Sequence, residues 1–173
     1  MIIFVQNNLN LERSEQELVR REKLKQLRAL GIDPYPAAAF STDANSETIS
    51  NEFAEGKQVT IAGRLMSRRI QGKASFAELQ DSLGRIQIYF NRDILCPTED
   101  KSMYNDVYKK LLDIGDIIGI SGTLFTTQVG EKTVQVESLY VLSKSLRPLP
   151  LPKTDVDGNT YDCLLYTSPS PRD

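Results

Sequence analysis

The chain has 173 residues, 40% of them hydrophobic and 25% charged, with a formal net charge of −2 and a pI near 5.3. These are the proportions of one folded domain with appendages, or of two small ones, and they exclude a disordered or generally basic nucleic-acid-coating protein. Histidine is absent and the two cysteines, Cys96 and Cys163, have no CxxC spacing; a self-contained histidine-dependent hydrolase or zinc enzyme is thereby excluded, and free thiols in a reducing compartment are expected.

In chain order, residues 1–12 read as a poorly ordered leader. Its apolar start, Met1 to Val5, is too short for a signal peptide or a membrane span, which predicts a cytoplasmic protein. Residues 13–56 read as a helical segment and a linker. Ser14-Glu15-Gln16-Glu17 has the pattern of a capping box, and Gly31, followed by Pro34 and Pro36, ends the helix near Leu30. Leu18, Leu24, Leu27 and Leu30 form its apolar positions, leaving Arg20, Arg21, Lys23, Lys25 and Arg28 as an exposed, solvated charged face. A linker from Pro34 to Asn45 and a short helix over Ser46–Phe53 precede Gly56.

From Lys57 the periodicity changes from helical to alternating. Val59, Ile61 and Leu65 share one parity; Thr60, Arg64, Met66 and Arg68 share the other; Gly63 marks a place where a long strand can bend. Because parity slips at a bend, the direction of Arg69 is not fixed by alternation. Ala74–Gln80 and Arg85–Phe90 flank the turn Asp81-Ser82-Leu83-Gly84 and predict a β-hairpin. Ala77, Leu79, Ile86, Ile88 and Phe90 face a core, which leaves Phe76 on a polar face beside Gln87 and Tyr89. An aromatic ring, an amide and nearby cations are what a single-stranded base requires: a stacking surface, a hydrogen-bonding edge and phosphate neutralisation. The same pattern arises when another part of the chain covers the phenylalanine.

After a turn-rich link over Asn91–Pro97, Tyr104, Val107, Tyr108, Leu111 and Leu112 repeat at helical spacing up to Gly115 and predict a core-facing helix. Asp116–Phe125 and Lys132–Leu142 are the last two strands, and Ser143–Pro152 is a proline-rich strap. Over residues 57–147 there are 13 Lys and Arg against 10 Asp and Glu, a locally positive segment in a negative chain, suited to a directed phosphate contact. Three strands, a helix and two strands form the element order of a five-stranded OB-fold barrel with a helix between strands 3 and 4; such barrels often bind single strands on the face of strands 2 and 3.

Four motifs, R-R-E-K-L-K-Q-L-R-A-L-G-I-D-P-Y-P, R-R-I-Q-G-K-A-S-F-A-E-L-Q-D-S-L-G-R-I-Q-I-Y, L-L-D-I-G-D-I-I-G-I-S-G-T-L-F-T-T-Q-V-G-E and S-K-S-L-R-P-L-P, together resemble the N-terminal anticodon-binding domain of bacterial class II lysyl-tRNA synthetases, from about Glu15 to Asp162. The resemblance implies anticodon recognition by Phe76, stacked on the central uridine, with Gln87 reading that base's edge, Arg69 contacting the same nucleotide and Glu131 near the anticodon bases. Arg68 and Lys73, with Arg64, are candidate phosphate contacts. It also implies a parent enzyme that uses ATP and magnesium to join lysine to tRNA as a homodimer, whereas this chain, lacking the catalytic motifs, is expected to be inactive and monomeric, without a cofactor of its own. Residues 57–147 would be the OB-fold domain and 148–162 a strap toward the catalytic domain. Residues 163–173, C-L-L-Y-T-S-P-S-P-R-D, resemble a translated sequencing adapter and are expected to be non-native. The alternatives are a generic single-strand-binding OB module, the related aspartyl or asparaginyl anticodon domain, and an interaction module whose barrel face is covered by protein.

Overall fold

The computed structural model describes residues 14–150, together with the backbone of 153–154 and 160–161. The expected leader, most of the strap, Cys163 and the tail lie outside the described residues. The elements are α1 (Glu15–Ala29), α2 (Ser46–Asn51), β1 (Gln58–Gln71), β2 (Ala74–Gln80), β3 (Arg85–Asn91), α3 (Arg92–Leu95), α4 (Met103–Leu111), β4 (Ile117–Thr126) and β5 (Lys132–Ser143), followed by two two-residue strands paired with each other, β6 (Lys153–Thr154) and β7 (Thr160–Tyr161). The five long strands close into a barrel in the order β1-β2-β3-β5-β4. All contacts within it are antiparallel except β3 with β5, which run parallel.

Alternation decides the barrel interior. Burial alternates strictly along β2 and β3, so Ala77, Leu79, Ile86, Ile88 and Phe90 enter the core with Val59, Ile61, Leu65, Ile118, Ile120, Leu124, Val134 and Val136. The hairpin turn is held by Asp81, whose carboxylate accepts from Leu83 N, Gly84 N, Ser46 N and Ser46 Oγ at 2.6–2.9 Å. One carboxylate thus ties the hairpin to the start of α2.

In β1 the alternation breaks. Leu65 pairs with Leu79 but Ser67 pairs with Glu78, leaving Met66 as the extra residue of a β-bulge. Before the bulge odd-numbered residues point inward; after it Ser67, Arg69 and Gln71 point outward. The slip falls at Met66 and not at Gly63. Gly63 answers a different need, since a Cβ there would stand 2.5 Å from the Gln80 carbonyl oxygen.

α4 plugs the barrel with Tyr104, Val107, Tyr108 and Leu111 buried. It is wound more widely than an α-helix, and its last turn closes with Leu112 N donating to Val107 O at 2.9 Å, five residues back. The Tyr108 ring stacks on Phe90 at 4.0 Å between centroids. Its hydroxyl lies 2.7 Å from Ser75 Oγ, and burial pushes the phenol up to about 12 although the Ser75 bond pulls the other way.

α1 begins and ends as its sequence predicts. Ser14 Oγ accepts from Glu17 N, and Gly31 at φ +77° allows Ile32 N and Gly31 N to return to Leu27 O and Arg28 O, both at 3.0 Å. Its charged face is solvated only in part: Lys25 and Arg28 are exposed as expected, but two of its cations are not. Arg20 is only 9% exposed and donates to Ser145 O and Ile114 O at 3.1 and 3.0 Å, while Lys23 Nζ lies 2.5 Å from Asp113 Oδ1. Leu18 and Leu30 are the exposed ones, at 38% and 52%. The helix docks on the barrel chiefly through polar side chains, because the element facing it offers carbonyls and carboxylates. At the centre of this contact Lys144, its side chain fully buried, bridges Asp113 at 2.6 Å and Asp116 at 2.8 Å. Cys96 is a buried free thiol.

Removing the buried ammonium leaves Asp116, also fully buried, facing no cation, so Lys144→Met is expected to lower stability by about 3–5 kcal/mol in urea unfolding. Burial raises the Asp81 and Asp113 carboxyls, but hydrogen bonds from Ser46 to the first and from Lys144 and Lys23 to the second outweigh it and hold both below the usual carboxylate range. Both therefore add stability that is present above about pH 4, the unfolded value, and is lost as pH falls through their lower folded values. Acid titration of unfolding free energy should show that loss, with a shallower slope in Asp81→Asn.

Candidate nucleic-acid interface

The outward residues of β1, β2 and β3 form one wall of an open groove of about 920 Å³. The register sets them in rows. Arg69 stands opposite Phe76, and Phe76 opposite Tyr89. Glu78 stands opposite Gln87, so Phe76 and Gln87 are diagonal neighbours on one face. Phe76 is half-buried and open to the groove rather than sealed by the chain. Its ring meets Tyr89 at 4.9 Å and Tyr89 meets Phe125 of β4 at 5.8 Å, giving a row of three aromatic rings across the barrel. Tyr89 and Phe125 are contributors that the hairpin alone did not nominate as a row; the signal was the outward parity of Tyr89, completed by a strand 36 residues further on.

Cations and carboxylates are distributed unequally. The Arg69 side chain is exposed at the groove edge, and with the Gln71 amide turned toward it, Gln71 oxygen accepts from Arg69 Nε and Nη2 at 3.1 and 3.3 Å. Glu78 is paired with Arg85 at 3.1 Å. Glu131 sits in the turn between β4 and β5, exposed and lining the opposite wall with Thr127 and Val129, and its carboxylate has no ion-pair partner among the described residues. Lys73 is exposed in the β1–β2 turn.

Two of the candidate phosphate contacts are otherwise engaged. Arg68 pairs in register with the core residue Ala77, on the side away from Phe76. Its guanidinium donates to Tyr108 O and to Leu112 O, the latter at 3.1 Å, and lies over the Tyr108 ring. It satisfies the last carbonyls of α4, where a cation also complements the helix end. Arg64 donates to Gly115 O at 2.7 Å. Both guanidiniums are used inside the fold: the bulge turns Arg68 to the side of the sheet that meets α4 and Arg69 to the other, whereas Arg64, ahead of the bulge and paired with Gln80, reaches the carbonyl at the exit of α4.

An open wall with aromatic rings, glutamine amides and an edge cation suits a flat heterocycle joined to a phosphate. The sequence profile of the OB-fold nucleic acid binding domain matches residues 59–142, the span of the closed barrel. The barrel belongs to the OB-fold nucleic acid binding domain family. Over a wider stretch the chain is similar to lysine–tRNA ligases. That of Christiangramia forsetii is 68% identical over 149 residues, 86% of this chain and 26% of the ligase. That of Porphyromonas gingivalis strain ATCC 33277 is 57% identical over 157 residues, 88% and 27% respectively. That of Syntrophomonas wolfei is 48% identical over 147 residues, 84% and 28%. The chain spans about a quarter of the length of these relatives. No helix among the described residues is long and apolar enough to cross a membrane.

The division of labour between neighbouring arginines is directly testable in this OB-fold domain. Arg68→Ala should lower the thermal unfolding midpoint while leaving nucleic-acid affinity unchanged, and Arg69→Ala should weaken affinity while leaving the midpoint in place.

Proposed function

We propose that the groove binds the anticodon loop of a lysine-accepting tRNA, as the anticodon-reading part of a cytoplasmic, ATP-dependent lysine–tRNA ligase. The observation that carries this reading is the placement of Phe76, Gln87 and Arg69 on one open face. A base splayed out of the loop stacks on the Phe76 ring, Gln87 meets its hydrogen-bonding edge, and Arg69 neutralises the adjoining phosphate. Lysine codons require a uridine at the centre of the anticodon, and uracil presents carbonyl and imide groups that an amide can read. Glu131 supports the same reading. An unpaired carboxylate repels phosphate but accepts from base N–H groups, so the loop between β4 and β5 suits a neighbouring base edge rather than the backbone. Lys73 is left as the cation for backbone phosphates at the β1–β2 turn.

No group of three or more His, Cys, Asp or Glu side chains among the described residues stands where a metal ion could be held, and we assign the ATP-dependent ligation to other parts of such a ligase. The contribution of this domain to aminoacylation is binding and orientation of tRNA.

Loss of one stacking platform is worth about 1–3 kcal/mol, about tenfold or more in affinity. Phe76→Ala is therefore expected to weaken binding of a lysine-tRNA anticodon stem-loop by at least that factor in a fluorescence-anisotropy titration. Unchanged affinity would overturn the proposal. Equal affinity of the wild type for oligo-U of the loop's length would instead favour a generic single-strand binder.

A further inference from the structure

Thr133 is fully buried, and its hydroxyl lies behind Gln87, a residue that lines the groove. Gln87 and Thr133 are register partners on the parallel strands β3 and β5. Thr133 Oγ1 lies 2.7 Å from Gln87 Oε1 and 3.2 Å from the Glu131 carbonyl oxygen. A hydroxyl has one proton to give. The Glu131 carbonyl already accepts from Thr127 N–H at 3.0 Å, the bond that closes the β4–β5 turn. A separation of 2.7 Å is typical of O–H···O and shorter than the usual N–H···O distance. The proton of Thr133 therefore goes to Gln87 Oε1. With that oxygen occupied, the Gln87 NH2 group is left for the groove that Gln87 lines, with no acceptor for it among the described residues.

We infer that Thr133 is a positioning residue that fixes the Gln87 carboxamide with its NH2 toward the groove, so that the site selects a base presenting a carbonyl oxygen there and rejects one presenting an amino group. The inference rests on the proposed reading of the groove as a base-binding site. Turning the amide over would place NH2 against Thr133 and give up the 2.7 Å bond, leaving the hydroxyl proton only the Glu131 carbonyl at 3.2 Å. Uracil and cytosine have the same ring size and stack alike on Phe76; they differ at C4, where one carries an oxygen and the other an NH2. Discrimination thus comes from the polarity of one side-chain amide, and the buried hydroxyl behind it sets that polarity. A donor facing an amino group leaves two buried donors opposed, a far greater loss than a gap in an apolar pocket.

The test compares dissociation constants for anticodon stem-loops carrying U or C at the central position, for the wild type, Thr133→Ser, Thr133→Val and Gln87→Glu, with thermal melts as a control for folding. The wild type and Thr133→Ser should prefer U by the same ratio. Thr133→Val, which frees the amide to rotate, should reduce that ratio by about tenfold, the size of one discriminating hydrogen-bond pair. Gln87→Glu, which exchanges the groove-facing donor for an acceptor, should reverse the preference toward C. A Thr133→Val protein that melts normally and keeps the full ratio overturns the positioning role while leaving the proposed function intact. If Thr133→Val does not fold, Gln87→Glu decides, and a retained U preference overturns the inference. A wild type that binds neither stem-loop, or both equally, overturns the base-reading function and the inference with it.

Discussion

One inserted residue in β1 governs how this barrel is used. A strand offers two faces in strict alternation, and a wall that is core on one side and groove on the other cannot change allegiance without an extra residue. Met66 supplies it. Before the bulge, Val59, Ile61 and Leu65 fill the barrel. After it, Arg69 joins Phe76 and Tyr89 in a row across three strands, while Arg68 turns to the end of α4. Without the bulge the two arginines would exchange faces, and the helix plug and the groove would each receive the wrong group.

The plug and the groove are also tied through β2. Ser75 is an inward residue, fully buried; its hydroxyl donates to the Arg69 carbonyl at 3.0 Å and lies 2.7 Å from the Tyr108 hydroxyl. Phe76, its sequence neighbour, points the other way. The backbone on which the outer row stands is thus pinned from behind by the plugging helix, which fixes the stacking ring more firmly than alternation alone. On the far side, the Lys144, Asp113, Asp116 and Lys23 cluster binds α1 to the strand ends. Such buried ion pairs are weak sources of net stability but strong selectors of one arrangement, because any alternative docking strands a charge.

The groove separates stacking from reading. Phe76, Tyr89 and Phe125 provide apolar surface that suits any base, whereas in the proposed reading direction-sensitive chemistry falls to Gln87 and Glu131. Arg69 stands at the edge, where it remains hydrated and its contribution to affinity falls with added salt. In the proposed reading this arrangement would let a chain with a net charge of −2 hold a polyanion, because positive charge is needed only along the backbone track.

Much of the fold was legible in the sequence. Alternation over 74–80 and 85–90 assigned the inward and outward residues of the hairpin, including the shared face of Phe76 and Gln87; the Ser14 cap, the Gly31 stop and the strand–helix–strand order followed from equally local signals. These are properties of consecutive residues, which chain geometry alone makes periodic. What the tertiary structure decided are relations between distant segments. The slip at Met66 is defined only against the partner strand, so Arg68 could not be told from Arg69 as structural or exposed, and Arg64 is occupied by the Gly115 carbonyl from a distant segment. Arg20 read as a surface charge because its acceptors, Ile114 O and Ser145 O, belong to another part of the chain. Thr133 carried no signal of its own: a threonine in a strand is ordinary, and it gains a role only because the parallel pairing of β3 with β5 brings its hydroxyl to Gln87, 46 residues away. Periodicity encodes which side a residue faces, but only the closed barrel determines what it faces.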